Sequence, residues 1–237
     1  MKLLLNKLIN DKDNLYRIID TKLMDSNGFL LTYFNQNSFN IAYENYNFYK
    51  LLLNSFNVYQ EGIGLYIYYL LKKQNKFTRI DATEVGYYLI FKLIENNKKI
   101  VFFGSNFNKE KFIEDCRRKN LLVTYYHNGN FELYKVGDLI EELKSINAEY
   151  FLIGMGSPKQ EFVAYELSKH FTNGKFICIG NFINYFLNYQ KRAPKFIRVL
   201  QLEWLYRLIV EPKRLFKRYV IGIPLYFARI FYILIKN

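Results

Sequence analysis

The sequence predicts an α/β fold, a mostly parallel sheet with helices on both faces, followed by a helical C-terminal appendage. Three observations carry this reading. Short, nearly continuous apolar runs recur along the chain, each leading into a longer segment of helical period, as strands buried on both faces do. Several of these runs end at Asn or Gly, which turn a chain sharply out of a strand. After Asn188 the texture changes, and three of the four prolines fall in the last 49 residues.

The elements follow in order. Phe29–Phe34 (FLLTYF) reads as a strand and Asn37–Phe56 as helical. Asn57–Gln60 is a short strand ahead of Glu61-Gly62-Ile63-Gly64. Lys99–Phe103 (KIVFF) is a strand ended by Gly104, with a helix near Lys109–Lys119. Leu121–His127 leads to a helix near Val136–Asn147, and Tyr150–Met155 (YFLIGM) leads to Pro158–His170. Lys175–Ile179 (KFICI) closes the series. Residues 1–188 thus read as one doubly wound, Rossmann-like domain and 189–237 as the appendage. Within the appendage, Pro194, Pro212 and Pro224 are expected to cut the chain into short helices. Its last stretch, Tyr219–Ile235, is apolar apart from Arg229. At roughly 17 residues, with Gly222 and Pro224 inside, it suits the membrane interface better than a span.

Charge sharpens the division. The chain carries 34 Lys and Arg against 21 Asp and Glu, a formal net charge of +13. Eleven of those cations and only two acids lie between Tyr189 and Asn237, and six of the ten arginines lie between Arg192 and Arg229. Abundant Lys, Asn, Tyr and Phe are what AT-rich codons supply, but Arg is not, so the arginine enrichment is the informative part. About half of the chain is apolar, which excludes disorder, and no uncharged apolar run reaches roughly 18 residues. Cys116 and Cys178 lie far apart without CxxC spacing, against a disulfide framework or thiolate metal site. The N-terminal MKLLLNKLINDKDN is too short and interrupted in its apolar part for a signal peptide, so the cytoplasm is the expected compartment.

In parallel α/β sheets ligands bind beyond the C-terminal ends of the strands. The candidates there are Asn35, Glu61-Gly62-Ile63-Gly64, Gly104-Ser105 and Gly154–Glu161. In the last, Gly154 and Gly156 allow a tight turn, Ser157 is placed to cap a helix and Gln160 completes a capping box. Pro158 suits the first helical position, and Lys159 adds charge to an N-terminus that can hold a diphosphate. A well-made helix start is the plain alternative. Glu61, a strand-end carboxylate beside two glycines, is a candidate general base, the alternative being a solvated side chain. Gly62-Ile63-Gly64 lacks the third glycine of a dinucleotide fingerprint. Asp11-Lys12-Asp13 reads as a surface turn rather than a metal site, His170 as a helix-end cation, and His127 as a modest binding candidate. In the appendage, Glu203 and Arg207 are spaced for a helical ion pair, whereas Arg214 and Arg218 repel unless an anion sits opposite. With Lys213 and Lys217 they form a basic cluster just ahead of the apolar stretch, as peripheral binding to an anionic leaflet requires. A nucleic-acid binder would not need that apolar stretch, and no recognition motif for one is present.

Taken together, GMGSPKQE (Gly154–Glu161), KRAP (Lys191–Pro194) and LEWLYRLIVEPKRLFKRY (Leu202–Tyr219) resemble the WecG/TagA/CpsF glycosyltransferase family, in the family's order. The resemblance runs from about Thr32 to the C-terminal region. It implies transfer of a sugar, often N-acetylmannosamine or its uronic acid, from a UDP-sugar to a polyprenyl-diphosphate-linked saccharide. That chemistry builds teichoic-acid linkage units, common antigen or capsule at the inner face of the cell membrane. It further implies inversion at the anomeric carbon and no metal or other cofactor. Residue by residue, Asn35 resembles the Asn of the family's T-x-N motif, although Thr32 is displaced by one position and Tyr33 stands in its place. Glu61-Gly62-Ile63-Gly64 stands where the family has D-G-x-G, which makes Glu61 the implied base. Arg79 matches the Arg of R-x-x-G-x-D, whose Gly and Asp are here Ala82 and Glu84. The family's G-G-x-F-D-F reads Gly180-Asn181-Phe182-Ile183-Asn184-Tyr185. Gln160, Glu161, Arg192, Arg207, Arg214 and Arg218 match, and together with Asn35, Gly62, Gly104, Gly156 and Ser157 form the implied substrate-binding set. The departures at Glu61, Ala82 and Asn184 admit an alternative, a catalytically weak sugar-nucleotide-binding or scaffold protein. A homo-oligomer is compatible with the sequence, which does not identify the sugar or acceptor.

Overall fold

A computed structural model describes residues 1–74, 76–147 and 149–236. Helices α1 (Lys2–Lys7) and α2 (Lys12–Met24) precede strand β1 (Phe29–Phe34). Next come α3 (Gln36–Glu44), α4 (Tyr46–Ser55), β2 (Asn57–Gln60), α5 (Gly62–Leu71) and α6 (Ala82–Glu95). They are followed by β3 (Ile100–Phe103), α7 (Lys109–Arg118), β4 (Val123–His127) and a 3₁₀ stretch (Leu133–Leu139) running into α8 (Ile140–Ile146). β5 (Tyr150–Ile153), α9 (Lys159–Ser168), β6 (Lys175–Cys178) and α10 (Phe182–Phe186) complete the sheet region. The C-terminal region holds α11 (Lys195–Val199), α12 (Glu203–Val210), α13 (Pro212–Phe216), a π-helical turn (Lys217–Ile221) and α14 (Gly222–Ile235).

The six strands form one sheet in the order β2-β1-β6-β5-β3-β4, parallel at every pairing. The expected Rossmann-like α/β architecture is therefore present, with an all-parallel sheet. β3, β5 and β6 are buried at every residue, and their side chains alternate between two cores. Val101, Phe103, Phe151, Ile153 and Phe176 face one core, and Ile100, Phe102, Tyr150, Leu152 and Ile177 the other. This period of two is what turns a continuous apolar run into two packed faces. The crossovers from β1 to β2 and from β3 to β4 run to opposite edges, which leaves a crevice above the strand C-termini between them.

Side-chain caps set where helices start. Asp11, Asn35, Asn45, Asp81 and Asn108 each accept backbone N–H bonds at the first turn of α2, α3, α4, α6 and α7. Asn45 explains why the expected Asn37–Phe56 helix is two helices: its N–H ends α3 on the Ile41 carbonyl while its Oδ1 starts α4. The cap at Asp11 gives the Asp11-Lys12-Asp13 segment a structural role.

The C-terminal region departs from expectation at one proline. Pro194 and Pro212 do stand at helix starts, but Pro224 lies inside a helical run from Pro212 to Ile235. Just before it the winding loosens to a π-turn in which Gly222 N–H reaches the Lys217 carbonyl. That local adjustment absorbs the donor that proline lacks. The run is long and apolar enough to cross a membrane by length and composition, its most apolar 18-residue window having a mean hydropathy of 1.5. One face of α14 is already used: Tyr226, Ile230 and Ile233 are buried in the core beside α3. Tyr226 stacks edge-on to Phe39 at 5.0 Å and donates to the Gly64 carbonyl at 2.9 Å. Arg229 bonds Asn40 and Glu44 of α3, and Asn40 Nδ2 donates to the Gly222 carbonyl.

Gly86 on α6 marks a close helix contact, because a Cβ there would lie 2.6 Å from the Phe182 ring of α10. Gly86→Ala gains about 1 kcal/mol of helix propensity, but overpacking a buried ring costs about 1–3 kcal/mol. The variant is expected to melt below the wild type in a thermal scan; a raised midpoint would show that α10 yields freely.

Candidate active site

The site begins at the ends of β1 and β2. Asn35 follows β1, and its Oδ1 accepts the N–H groups of Asn37 and Ser38 at 3.0 and 3.1 Å, starting α3. That fixes the amide, so its Nδ2 donates to Glu61 Oε2 at 2.8 Å. Glu61 follows β2, with its own N–H on the Phe34 carbonyl at 2.8 Å. Gly62, at φ +83°, lets the chain turn at once into α5. Glu61 stands at the N-cap of α5 without capping it, and among the described residues its Oε1 has no hydrogen-bond partner. Burial raises its pKa above the usual carboxylate value; the Asn35 bond opposes this, Asp81 adds to it, and Arg218 and Arg207 oppose it.

The loops after β5 and β6 form the opposite wall. Gly154, Met155 and Gly156 line the cavity with Ile179–Phe182, and Gly180, at φ +53°, lies so close to the Tyr33 hydroxyl that no Cβ would fit between them. Behind this wall is a buried polar cluster. Glu161 Oε1 accepts from Thr32 Oγ1 at 2.7 Å, Ser157 Oγ at 2.8 Å and Gln160 Nε2 at 2.9 Å, while Gln160 Oε1 accepts the Gly156 N–H at 3.2 Å. The expected capping box is therefore not formed. The carboxylate draws the Ser157 hydroxyl away from the helix backbone, and α9 begins at Lys159 after a cis Ser157–Pro158 bond. Period-two alternation along β1 explains the displaced threonine: Thr32 points to this cluster and Tyr33 to the cavity.

Arginines close the remaining side. Arg79, on the loop before α6, shares the cavity of about 310 Å³ with Arg192, Arg207, Arg214 and Arg218 from the C-terminal region. Arg192 is taken by carboxylates: its Nη2 bonds Asp81 at 2.5 Å and Glu203 at 3.1 Å. Burial would raise the Asp81 pKa, but Arg192 and the N–H groups of Thr83 and Glu84 outweigh it and hold Asp81 below its usual value. The Nε atoms of Arg79, Arg207 and Arg218 are buried with no hydrogen-bond partner among the described residues. A guanidinium group taken from water is costly, and an anion meeting its remaining N–H groups from the cavity would offset that cost. Three carboxylates, Glu61, Asp81 and Glu203, line the cavity together with these five arginines.

Of the residues singled out in the sequence, Asn35, Glu61, Gly62, Arg79, Gly156, Arg192, Arg207, Arg214 and Arg218 line the cavity. Ser157, Gln160 and Glu161 lie behind its wall. Gly104 lies one strand further out, where its φ of +132° and its approach to the Gly154 carbonyl, too close to admit a Cβ, set the loop spacing. His127 is apart from the cavity, its Nδ1 accepting the Gly129 N–H at 3.0 Å. Sequence reasoning passed over Asp81 and Trp204 and did not place Tyr33 or Glu203 in the site, though all four line the cavity. Asp81-Ala82-Thr83-Glu84 carries the Asp-x-x-Glu signal of a helix start that would have pointed to Asp81. Among the described residues no three His, Cys, Asp or Glu side chains gather as metal ligands.

A fixed carboxylate with one free oxygen, facing unpaired guanidinium groups, suits removal of a hydroxyl proton beside a departing polyanion. The family model described as glycosyl transferase WecG/TagA/CpsF family matches residues 4–237, which include every wall of this cavity. The chain belongs to the WecG/TagA/CpsF family of glycosyltransferases.

Proposed function

We propose that the protein is an inverting glycosyltransferase that moves an N-acetylmannosamine-like sugar from a UDP-sugar to a polyprenyl-diphosphate-linked saccharide. It works as a peripheral enzyme at the cytoplasmic face of the cell membrane. The family's role in cell-surface polysaccharide synthesis supports the reaction class. The observation that carries the proposal is the opposition of Glu61, pinned by Asn35, to three arginines with buried, unpaired Nε atoms.

In this reading Glu61 Oε1 takes the proton of the acceptor hydroxyl as that oxygen attacks the anomeric carbon. The bond from that carbon to the diphosphate oxygen breaks and UDP leaves with the electron pair. A single displacement inverts the centre. Arg79, Arg207 and Arg218 meet the charge that develops on the diphosphate, already oriented before the reaction begins. Asn35 donates to the ionised form of Glu61 and keeps it aimed. Arg192, bound on both sides by carboxylates, holds the C-terminal region over the cavity and does not serve as a free cation.

The surface supports a membrane-facing role. Among the described residues, fourteen of the twenty-four exposed large apolar side chains lie from Phe196 to Ile235, interleaved with basic residues. Exposed apolar side chains alternating with basic ones are what a segment lying in a membrane interface presents. With one face of α14 packed on α3, the reading is a helix lying in the interface rather than crossing it.

Three outcomes are expected. The first concerns Glu61. The acidic limb of the activity profile rises with pH, as Glu61 loses its proton, and lies above the ordinary glutamate value of about 4.3. Glu61→Gln abolishes turnover and melts above the wild type at neutral pH, because the wild type loses stability as pH rises from the unfolded-state value through the raised folded one. Unchanged turnover in Glu61→Gln removes it as the base. Second, Arg207→Ala and Arg218→Ala each weaken UDP binding, measured by calorimetry, by about tenfold or more, the scale of one lost bond to a charged group; undiminished affinity in both places the diphosphate elsewhere. Third, Ile209 and Ile235 are 71% and 83% exposed. Replacing both with Asp is expected to release the protein from vesicles containing phosphatidylglycerol in a sedimentation assay while leaving the melting temperature unchanged.

A further inference from the structure

We propose that Gln190, with Asn181, is a positioning residue that aims Arg214 at the cavity through a directed chain of hydrogen bonds. Arg214 lines the cavity from α13, yet its side chain is 55% exposed. A long solvent-facing side chain of this kind keeps many rotamers unless a partner fixes it. The partner is Glu211, whose Oε2 accepts from Arg214 Nε at 2.5 Å.

Glu211 is held in turn from the sheet. Asn184 Nδ2 donates to Asn181 Oδ1 at 2.8 Å, and Asn181 Nδ2 donates to Gln190 Oε1 at 2.5 Å. Gln190 Nε2 then donates to Glu211 Oε1 at 3.0 Å. Every link runs the same way. Asn181 and Gln190 each accept with the carbonyl and donate with the amide nitrogen, so neither can flip without losing both bonds. The backbone closes the same loop, with Gln190 N–H on the Asn184 carbonyl at 3.1 Å. Asn181 itself stands on the cavity wall after β6. The chain thus ties a strand-end loop to a cation arriving from the C-terminal region.

The geometry gives Arg214 a different role from its neighbours. Arg79, Arg207 and Arg218 have unpaired Nε atoms, whereas Arg214 spends its Nε on Glu211. It is left to meet a ligand with its two terminal nitrogens, on an axis set by Gln190. The Glu211 carboxyl is held below its usual range by the Arg214 bond, against burial and with help from Gln190, so it stays ionised and keeps its grip.

The inference rests on reading the cavity as a diphosphate site, and the test separates the two. Gln190→Met keeps the side-chain volume and removes the hydrogen bonds. Wild type, Gln190→Met, Arg214→Ala and the double variant are titrated with UDP by calorimetry. In ¹⁵N-labelled protein without UDP, the Arg214 Nε–H resonance reports whether that group is bonded. Gln190→Met is expected to weaken UDP binding about fivefold in the wild-type background, the scale of one hydrogen bond. In the Arg214→Ala background it is expected to have almost no effect, because the two act as one unit. The Nε–H signal, protected in the wild type, should be lost to exchange in Gln190→Met. An equal loss of affinity in both backgrounds, or an unchanged Nε–H signal, overturns the proposal. If the wild type fails to bind UDP, the donor reading falls, and the Nε–H signal alone decides whether Gln190 holds Arg214.

Discussion

The paired bonds of Arg192 to Asp81 and Glu203 join the C-terminal region to the strand-end crevice and complete the site. Asp81 is simultaneously the cap of α6, so its position is set by the sheet-bearing part of the chain. Glu203 opens α12, which carries Arg207, so wherever Arg192 holds Glu203 the arginine follows. All three side chains are largely withdrawn from water. Removing one partner of such a cluster leaves an uncompensated charge and costs about 3–5 kcal/mol, well above what an exposed ion pair contributes. That junction brings α12 and its Arg207 to the crevice that Glu61 and Arg79 line.

The C-terminal region serves two surfaces at once. Its inner side supplies cavity arginines, and its outer side exposes apolar residues among lysines. α14 anchors the arrangement, because Tyr226 and Arg229 grip α3, the helix whose first turn is capped by Asn35. Contacts that orient Glu61 and contacts that seat the last helix therefore meet on one short element. The proposed chemistry and the proposed membrane attachment share a foundation rather than residing in separable parts.

Much of this was legible in the chain because it rests on local rules. Apolar runs, their spacing and their terminal Asn, Glu and Gly residues located the strand ends and brought Asn35 and Glu61 forward together. What escaped depends on contacts between distant residues. The Ser157–Gln160 capping box was sound local grammar, but Glu161, held by Thr32 from 129 positions away, recruits the same hydroxyl. Asp81 and Arg192 are 111 positions apart, so the junction has no signature within any window. Pro224 misled for a related reason: proline stops a regularly wound helix, and a π-turn immediately before it changes the winding.

Asn35 illustrates how tightly such a site resists drift. Its carbonyl belongs to a helix and its amide nitrogen to the proposed base, so no substitution serves one without harming the other. Aspartate preserves the cap and sets a negative charge against Glu61; serine preserves the cap and reaches nothing. The residue is thereby constrained from two sides at once. The start of α3 thus fixes the direction of a helix and the aim of the proposed base through one side chain.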